Sequence, residues 1–310
     1  MIAQSLVYQA VYEAFSRASR SIPRDVEDAF LRHIEECSTP ASLGRVHLEK
    51  TLENVRTAER ESTLACPDTG YPTVYIRVGR QVELEGGMFA LTEQVERAVA
   101  CVTAESKLRK TMVNPITREN PLTNVIGGMP HIELKFDKTI DYLEITAVPK
   151  GGGSEICGTY YRMMVPLDGL DGIYTFVIDS ALKALESGRS CPPNIVGVGI
   201  GGTADVCMKI AKQAAVLRPV GDRHPDDLIS DMEKKLVKAI NALGMGPMGT
   251  GGEPSCFDVH VEWAGTHTAA LPVAFNAQCS VARRATVRVY RDNSIEELDW
   301  PDWFGRGISR

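Results

Sequence analysis

The chain has 310 residues, 44% of them hydrophobic, and its 34 Lys and Arg against 40 Asp and Glu leave a formal net charge of −6. That is enough apolar material for a sizeable core, and too little positive charge for a general binder of nucleic acid or of anionic membranes. The N-terminus has no basic stretch ahead of an unbroken apolar run, and nowhere do the ~18 apolar residues of a membrane-spanning helix occur together, so the chain reads as cytoplasmic.

In chain order, apolar positions at Leu6, Val11 and Phe15, then at Val26, Phe30 and Ile34, predict two helices within residues 5–36. The second begins near Pro23, with Asp25, Glu27 and Asp28 at its positive end. Residues 43–60 predict a third helix, Thr73–Val78 a strand rich in β-branched and aromatic residues, and 87–108 a further helix. From about residue 130 the texture changes. HIELKFD and YLEITAVP alternate as strands of a half-exposed sheet. Asn194–Gly199 is a short apolar strand running through Gly201-Gly202-Thr203 into a helix at 204–216, with Thr203 as N-cap. A charged amphipathic helix at 226–243, a glycine-rich loop at 244–252 and late strands in DVHVEW and ATVRVYR follow, and the tail from Trp300 is expected to pack poorly. The pattern predicts a mixed α/β (α+β) fold in a single domain, 1–310. A helix-rich lobe spans about 1–128, and a lobe with mostly antiparallel sheet and packed helices spans 129–310.

Eight cysteines fall at 37, 66, 101, 157, 191, 207, 256 and 279, none paired as CxxC. In a reducing compartment the default is a set of small core residues. Cys101 and Cys207 sit inside helical patterns, where packing explains them. Cys66, Cys191 and Cys279 lie at element ends beside Pro, Ser or Gln. Three thiolates could hold a [4Fe–4S] cluster by three corners and leave one iron open as a Lewis acid. Their separations of 125 and 88 residues form no local motif, so spacing alone favours unrelated thiols.

Other segments break the expected patterns. Gly151-Gly152-Gly153-Ser154 follows a strand and offers backbone amides to an anion, though a bare glycine triplet is equally a flexible loop. Gly197-Val-Gly-Ile-Gly-Gly202 matches the dinucleotide fingerprint GxGxxG, but its first two glycines fall inside the strand, and Asp222 sits in a Pro/Gly-rich stretch rather than at a strand end. It reads as a tight strand-to-helix turn. A nicotinamide-dependent enzyme built on it is one alternative, and a non-catalytic iron–sulfur sensor is another. His267 lies in a polar break, and a lone histidine of this kind is more often structural than catalytic.

Together and in order, ACPDTG at 65, KGGGSE at 150, CPPNIVGVGIGGTAD at 191, LRPVGDRHP at 217, LGMGPMGTGG at 243 and the His267-to-Cys279 run resemble the alpha subunit of class I iron–sulfur fumarases and L(+)-tartrate dehydratases, over roughly residues 10–290. The resemblance implies a hydro-lyase acting on a small dicarboxylate, with a [4Fe–4S] cluster on Cys66, Cys191 and Cys279. It implies catalytic roles for Asp68 and His267, and substrate contacts from Arg118, Gly152 and Gly153. It also implies a separate beta subunit carrying the catalytic base, and a dimer of alpha–beta pairs. The glycine run and the context of His267 lean towards fumarate, with L(+)-tartrate as the alternative. Two departures stand out. Pro67 occupies a position where the family usually has Gln, and Asn120-Pro-Leu-Thr-Asn124 differs in its middle from the usual stretch after the arginine.

Overall fold

The computed structural model describes residues 1–37 and 42–306. In chain order these form α1 (Gln4–Arg20), α2 (Arg24–Glu36), α3 (Leu43–Arg60), β1 (Tyr71–Gly79), α4 (Gly87–Glu105), β2 (His131–Asp137), β3 (Leu143–Lys150), α5 (Gly152–Cys157), β4 (Thr159–Met164), α6 (Gly169–Glu186), β5 (Asn194–Gly201), α7 (Ala204–Leu217), α8 (Asp227–Asn241), β6 (Cys256–Ala264), β7 (Leu271–Gln278), β8 (Ala285–Val289) and β9 (Ile295–Leu298). The fold is mixed α/β, as the patterning predicts. The chain divides into two compact units, one of Met1–Pro23, Asn54–Lys150 and Arg283–Arg310, the other of Arg24–Glu53 and Gly151–Ala282. The lobe boundary near residue 128 therefore gives way to an interleaved division. Its cause is pairing: β3, which lies beyond that boundary, hydrogen-bonds to β1 and β8.

The first unit holds a five-stranded sheet in the order β2-β1-β3-β8-β9, antiparallel except for the β1–β2 pair. Strand alternation sends Val74, Ile76, Leu143, Ile145 and Val287 into one core with Val11 and Phe15 of α1 and Val95 and Val99 of α4. The other face carries charge. Arg77, 1% exposed, pairs with Asp137 (2.7 Å) and Glu144 (3.3 Å). The tail is not loose through residue 306. Trp303 is buried, its ring edge-on to Tyr75 at 5.3 Å, and Lys135 Nζ donates to its carbonyl. A segment with no periodicity of its own is fixed here by one aromatic anchor. Residues 307–310 lie outside the described residues.

The second unit holds a four-stranded sheet in the order β4-β7-β5-β6, antiparallel except for β5–β6. Val196, Val198, Val259 and Phe275 pack with residues of α6 and α8 such as Val177 and Leu236. Cys207 and Ala211 of α7 pack against Ala274 of β7. The glycines of the GxGxxG match explain how α7 sits so close. A Cβ at Gly197 would stand 2.0 Å from the Ala211 carbonyl oxygen, and one at Gly199 2.1 Å from that of Cys207. Gly201 and Gly202, at φ +84° and +74°, make the turn. Thr203 occupies the N-cap position but makes no side-chain cap; its hydroxyl donates instead to Asp205 at 2.5 Å. The central β5 thus lies between a parallel and an antiparallel neighbour, unlike the parallel sheet of a dinucleotide fold, and Asp222 accepts from Arg218 Nε at 2.8 Å. Gly197→Ala is expected to cost ~3 kcal/mol or more in thermal or denaturant unfolding, because the helix backbone must retreat. Gly265→Ala, which meets nothing within 4 Å, is expected to stay within ~0.5 kcal/mol.

Candidate active site

In the first unit, the segment entering β1 carries Cys66 and Asp68, both partly exposed. Asp68 Oδ1 accepts from the Gly70 amide at 2.9 Å, an Asx-type turn that the αL conformation of Gly70 (φ +72°) completes. The Thr111 hydroxyl donates to the Gly70 carbonyl at 2.9 Å and ties this turn to the loop bearing Arg118. That loop is organised by Asn124, fully buried. Its Oδ1 accepts from the amides of Thr111 (2.7 Å) and Met112 (3.1 Å), and its Nδ2 donates to the carbonyl of Arg109 at 3.0 Å. Arg118 and Asn124 both take the left-handed conformation, at φ 63° and 62°. Arg118 is exposed and lines a cavity of about 410 Å³ with Tyr71, Thr111, Met112 and Asn114. Among the described residues no side chain pairs with its guanidinium.

In the second unit, Cys191, Cys279 and the Gly151–Gly153 run come together. The Ser280 amide donates to the Cys191 carbonyl at 3.0 Å. Asn194 Nδ2 donates to the carbonyls of Ser190 (2.8 Å) and Gln278 (3.2 Å), joining the residues just before both cysteines. These bonds hold Cys191 at φ 49°, a left-handed conformation that costs ~1–3 kcal/mol and persists only where neighbours over-determine it. Gly151 is the N-cap of α5, and a Cβ there would fill space 2.9 Å from Cys279 Sγ. The expected loop is therefore a strand-to-helix junction. Gly153 has a packing reason to be glycine, since its Cβ would stand 2.0 Å from the Arg189 carbonyl.

His267 does not join them within one chain. It lies exposed in the loop before β7, with Nδ1 accepting from the Ala269 amide at 3.1 Å. That bond leaves the proton of the neutral ring on Nε2. Cys279 follows the far end of β7, and eight extended residues place the two ends roughly 24 Å apart. Sequence proximity of 12 residues concealed a whole strand.

Among the described residues no three His, Cys, Asp or Glu side chains close on a point tightly enough for a single metal ion. A four-iron cubane takes its thiolates on separate irons and so asks for wider spacing. The donor chemistry fits such a group. Cys66, Cys191 and Cys279 are partly exposed, and the missing side chain at Gly151 leaves room at one sulfur. Two other thiols are unsuited: burial pushes Cys207 up to about 12 and raises Cys256 strongly, and a ligand must be thiolate. Cys101 donates to Glu105 at 3.2 Å. Reading the sequence alone missed Asn124 as an organising hub and Asn194 as the clasp between the cysteine segments; asparagines beside proline-broken loops were the available signal.

The family model described as Fumarate hydratase (Fumerase) matches residues 8–288. A Methanocaldococcus jannaschii protein, provisionally named L(+)-tartrate dehydratase subunit alpha, is 40% identical over 93% of this chain and 99% of its own. Proteins of Escherichia coli K12 and Shigella sonnei named L(+)-tartrate dehydratase subunit alpha are each 30% identical over 90% of this chain and 89% of theirs. No helix among the described residues is long and apolar enough to cross a membrane. With the match running through β1, the glycine junction, both cysteine segments and β7, the chain belongs to the class I fumarate hydratase family of hydro-lyases, alongside tartrate dehydratase alpha subunits.

Proposed function

We propose that this chain is the cluster-bearing alpha subunit of a dicarboxylate hydro-lyase that reversibly hydrates fumarate, with Cys66, Cys191 and Cys279 holding a [4Fe–4S] cluster. The observation that carries the reading is the junction of Cys191, Cys279 and Gly151, where an over-determined backbone presents two thiols and keeps space open beside one sulfur. When bound, the cluster supplies a Lewis-acidic iron with an open position for a substrate oxygen. Arg118 clamps a carboxylate through its fork of N–H donors. Asp68, locked by the Gly70 amide, orients a substrate hydroxyl or carries its proton. The amides of Gly152 and Gly153, the first of α5, face an anionic group at the cysteine end. The names of the relatives favour L(+)-tartrate dehydration as a second reading.

Those names also speak of a subunit alpha, which supports a separate beta subunit supplying the base that removes the carbon-bound proton. Anaerobic reconstitution with iron, sulfide and that partner, followed by parallel assays of malate, fumarate and both tartrate enantiomers, tests the reading. Turnover of none of the four overturns it.

Because β7 separates His267 from Cys279, a role for His267 at the cysteine end places it in a second copy, within a dimer of alpha–beta pairs. A mixed dimer of one His267→Ala copy and one Cys279→Ala copy is then expected to regain one working site, although each pure variant is inactive. Mixed dimers as inactive as the parents would show that the histidine does not act across copies.

A further inference from the structure

We infer that one end of the first unit's sheet is a carboxylate-binding subsite formed by Thr69, Lys150 and Arg283, which receives one carboxylate of the substrate. This rests on the dicarboxylate hydro-lyase reading and adds to it three residues to which that reading gives no role.

The signal lies at Thr69 and Arg283, whose polar ends have no partner among the described residues. Thr69 is 2% exposed, and its hydroxyl has no hydrogen-bond partner among the described residues. A hydroxyl buried without a partner is a standing cost to the fold. Arg283 is 3% exposed, and among the described residues no side-chain or backbone group bonds or pairs with its guanidinium. That group cannot shed its charge by deprotonating, so it calls for an anionic partner. The fold treats other buried guanidiniums differently. Arg77 meets Asp137 and Glu144, and Arg218 meets Asp222, Glu233 and Glu262. Arg283 departs from that rule, which points to an anion that comes from outside the chain.

Strand register gathers the three residues. Tyr71 of β1 lies opposite Lys150 of β3, and Ala147 of β3 lies opposite Ala285 of β8. Thr69 precedes β1 by two residues and Arg283 precedes β8 by two, so the strands on either side of β3 deliver both to the sheet end where β3 finishes at Lys150, itself 1% exposed. Cys66 and Asp68 lie in the same entry segment as Thr69. The Thr111–Gly70 bond ties the Arg118 loop to this end as well. Arg118, which lines the cavity, and Arg283 are two guanidiniums without a partner among the described residues, the number that a molecule with two carboxylates calls for.

The test uses the reconstituted complex with its partner subunit, and succinate as an inert dicarboxylate. Wild type, Thr69→Val, Arg283→Gln and Arg283→Lys are compared for iron content, kcat, KM, inhibition by succinate, and thermal stabilisation by succinate and by inorganic phosphate. The subsite predicts that Arg283→Gln raises KM and the succinate inhibition constant at least ~10-fold, the scale of a lost charge-assisted hydrogen bond, with iron content unchanged and kcat less affected. Thr69→Val shifts the same constants several-fold. Arg283→Lys, which keeps the charge, falls between wild type and Arg283→Gln and carries the test if the glutamine variant does not fold. Unchanged succinate affinity in folded Thr69→Val and Arg283→Lys overturns the inference. So does stabilisation of the wild type by phosphate alone. If the wild-type complex turns over no dicarboxylate, the hydro-lyase reading fails; the subsite is then judged by whether succinate stabilises the wild type and not the variants.

Discussion

Replacing Cys191 or Cys279 by serine is expected to leave a folded, colourless protein that loses activity by ~10³-fold or more. The folded part of this result follows from the contacts. The bonds that shape the Cys191 turn are made by backbone groups of Cys191 and Ser280 and by the Asn194 side chain, none of which involves a sulfur. Removing a thiol therefore spares the clasp. The loss of activity follows from the chemistry. A serine hydroxyl stays protonated at neutral pH and binds iron poorly, so a cubane held by three thiolates loses a corner. A Lewis-acidic metal contributes several kcal/mol to transition-state stabilisation, and each ~1.4 kcal/mol is tenfold in rate. Cys66→Ser is expected to behave alike. Cys207→Ser and Cys256→Ser serve as contrasts. Both thiols are fully buried, so their cost should appear in unfolding temperature, while iron content and visible absorption stay as in wild type. Iron analysis, the visible spectrum and thermal melts on all five variants check the result. A brown, active Cys191→Ser protein would remove that residue from the ligand set.

Arg218→Met is expected to destabilise the protein by ~3–5 kcal/mol, the typical cost of stranding a buried partner charge. Arg218 and Glu233 are almost wholly buried, and Nη1 donates to Glu233 Oε1 at 2.5 Å. Glu233 is also the anchor for two backbone amides, Val261 at 2.9 Å and His224 at 3.1 Å, so it cannot turn away to find water. Glu262 stands 3.3 Å from the same guanidinium nitrogen. Methionine fills much of the volume and leaves two carboxylates facing each other in the interior. For a chain of this size the drop corresponds to a melting temperature lower by on the order of 10 °C. Adding Glu233→Gln and Glu262→Gln should recover much of it, because the stranded charges go while the amide acceptors stay. Thermal unfolding of the single and triple variants measures both effects. A triple variant no more stable than Arg218→Met would mean that packing, rather than charge, is what arginine supplies.

Much of the scaffold could be read from periodicity. β1, β2 and β3 alternate cleanly, and α1, α2 and α8 carry apolar stripes bounded by proline or acidic caps. β7 went unseen because Pro272 interrupts it, and proline argues against an interior strand by removing a ladder donor. Here it lies in register with Met163 of β4. The buried tail was unreadable because Trp303 is held by Tyr75, a partner over two hundred residues away. In the candidate site, the cysteines could be separated into packed and loop-borne groups by local pattern, but their common purpose needed the family resemblance. The distance of His267 from Cys279 depended on recognising β7. Thr69 and Arg283 could not be found locally, since what marks them is a strand register that exists only once β1, β3 and β8 have paired.

The interleaving of the two units has a consequence for synthesis. Gly151–Ala282, the greater part of the second unit, is one uninterrupted stretch that contains all four strands of its sheet, so that sheet can close as soon as the stretch has left the ribosome. The first sheet must wait. β3 acquires its β8 neighbour only after the whole of Gly151–Ala282 has been made, and at ~5–20 residues per second that leaves its edge without a partner for many seconds. A premature stop before Ala285 would thus spare the later-starting unit and expose the sticky flank of the earlier one.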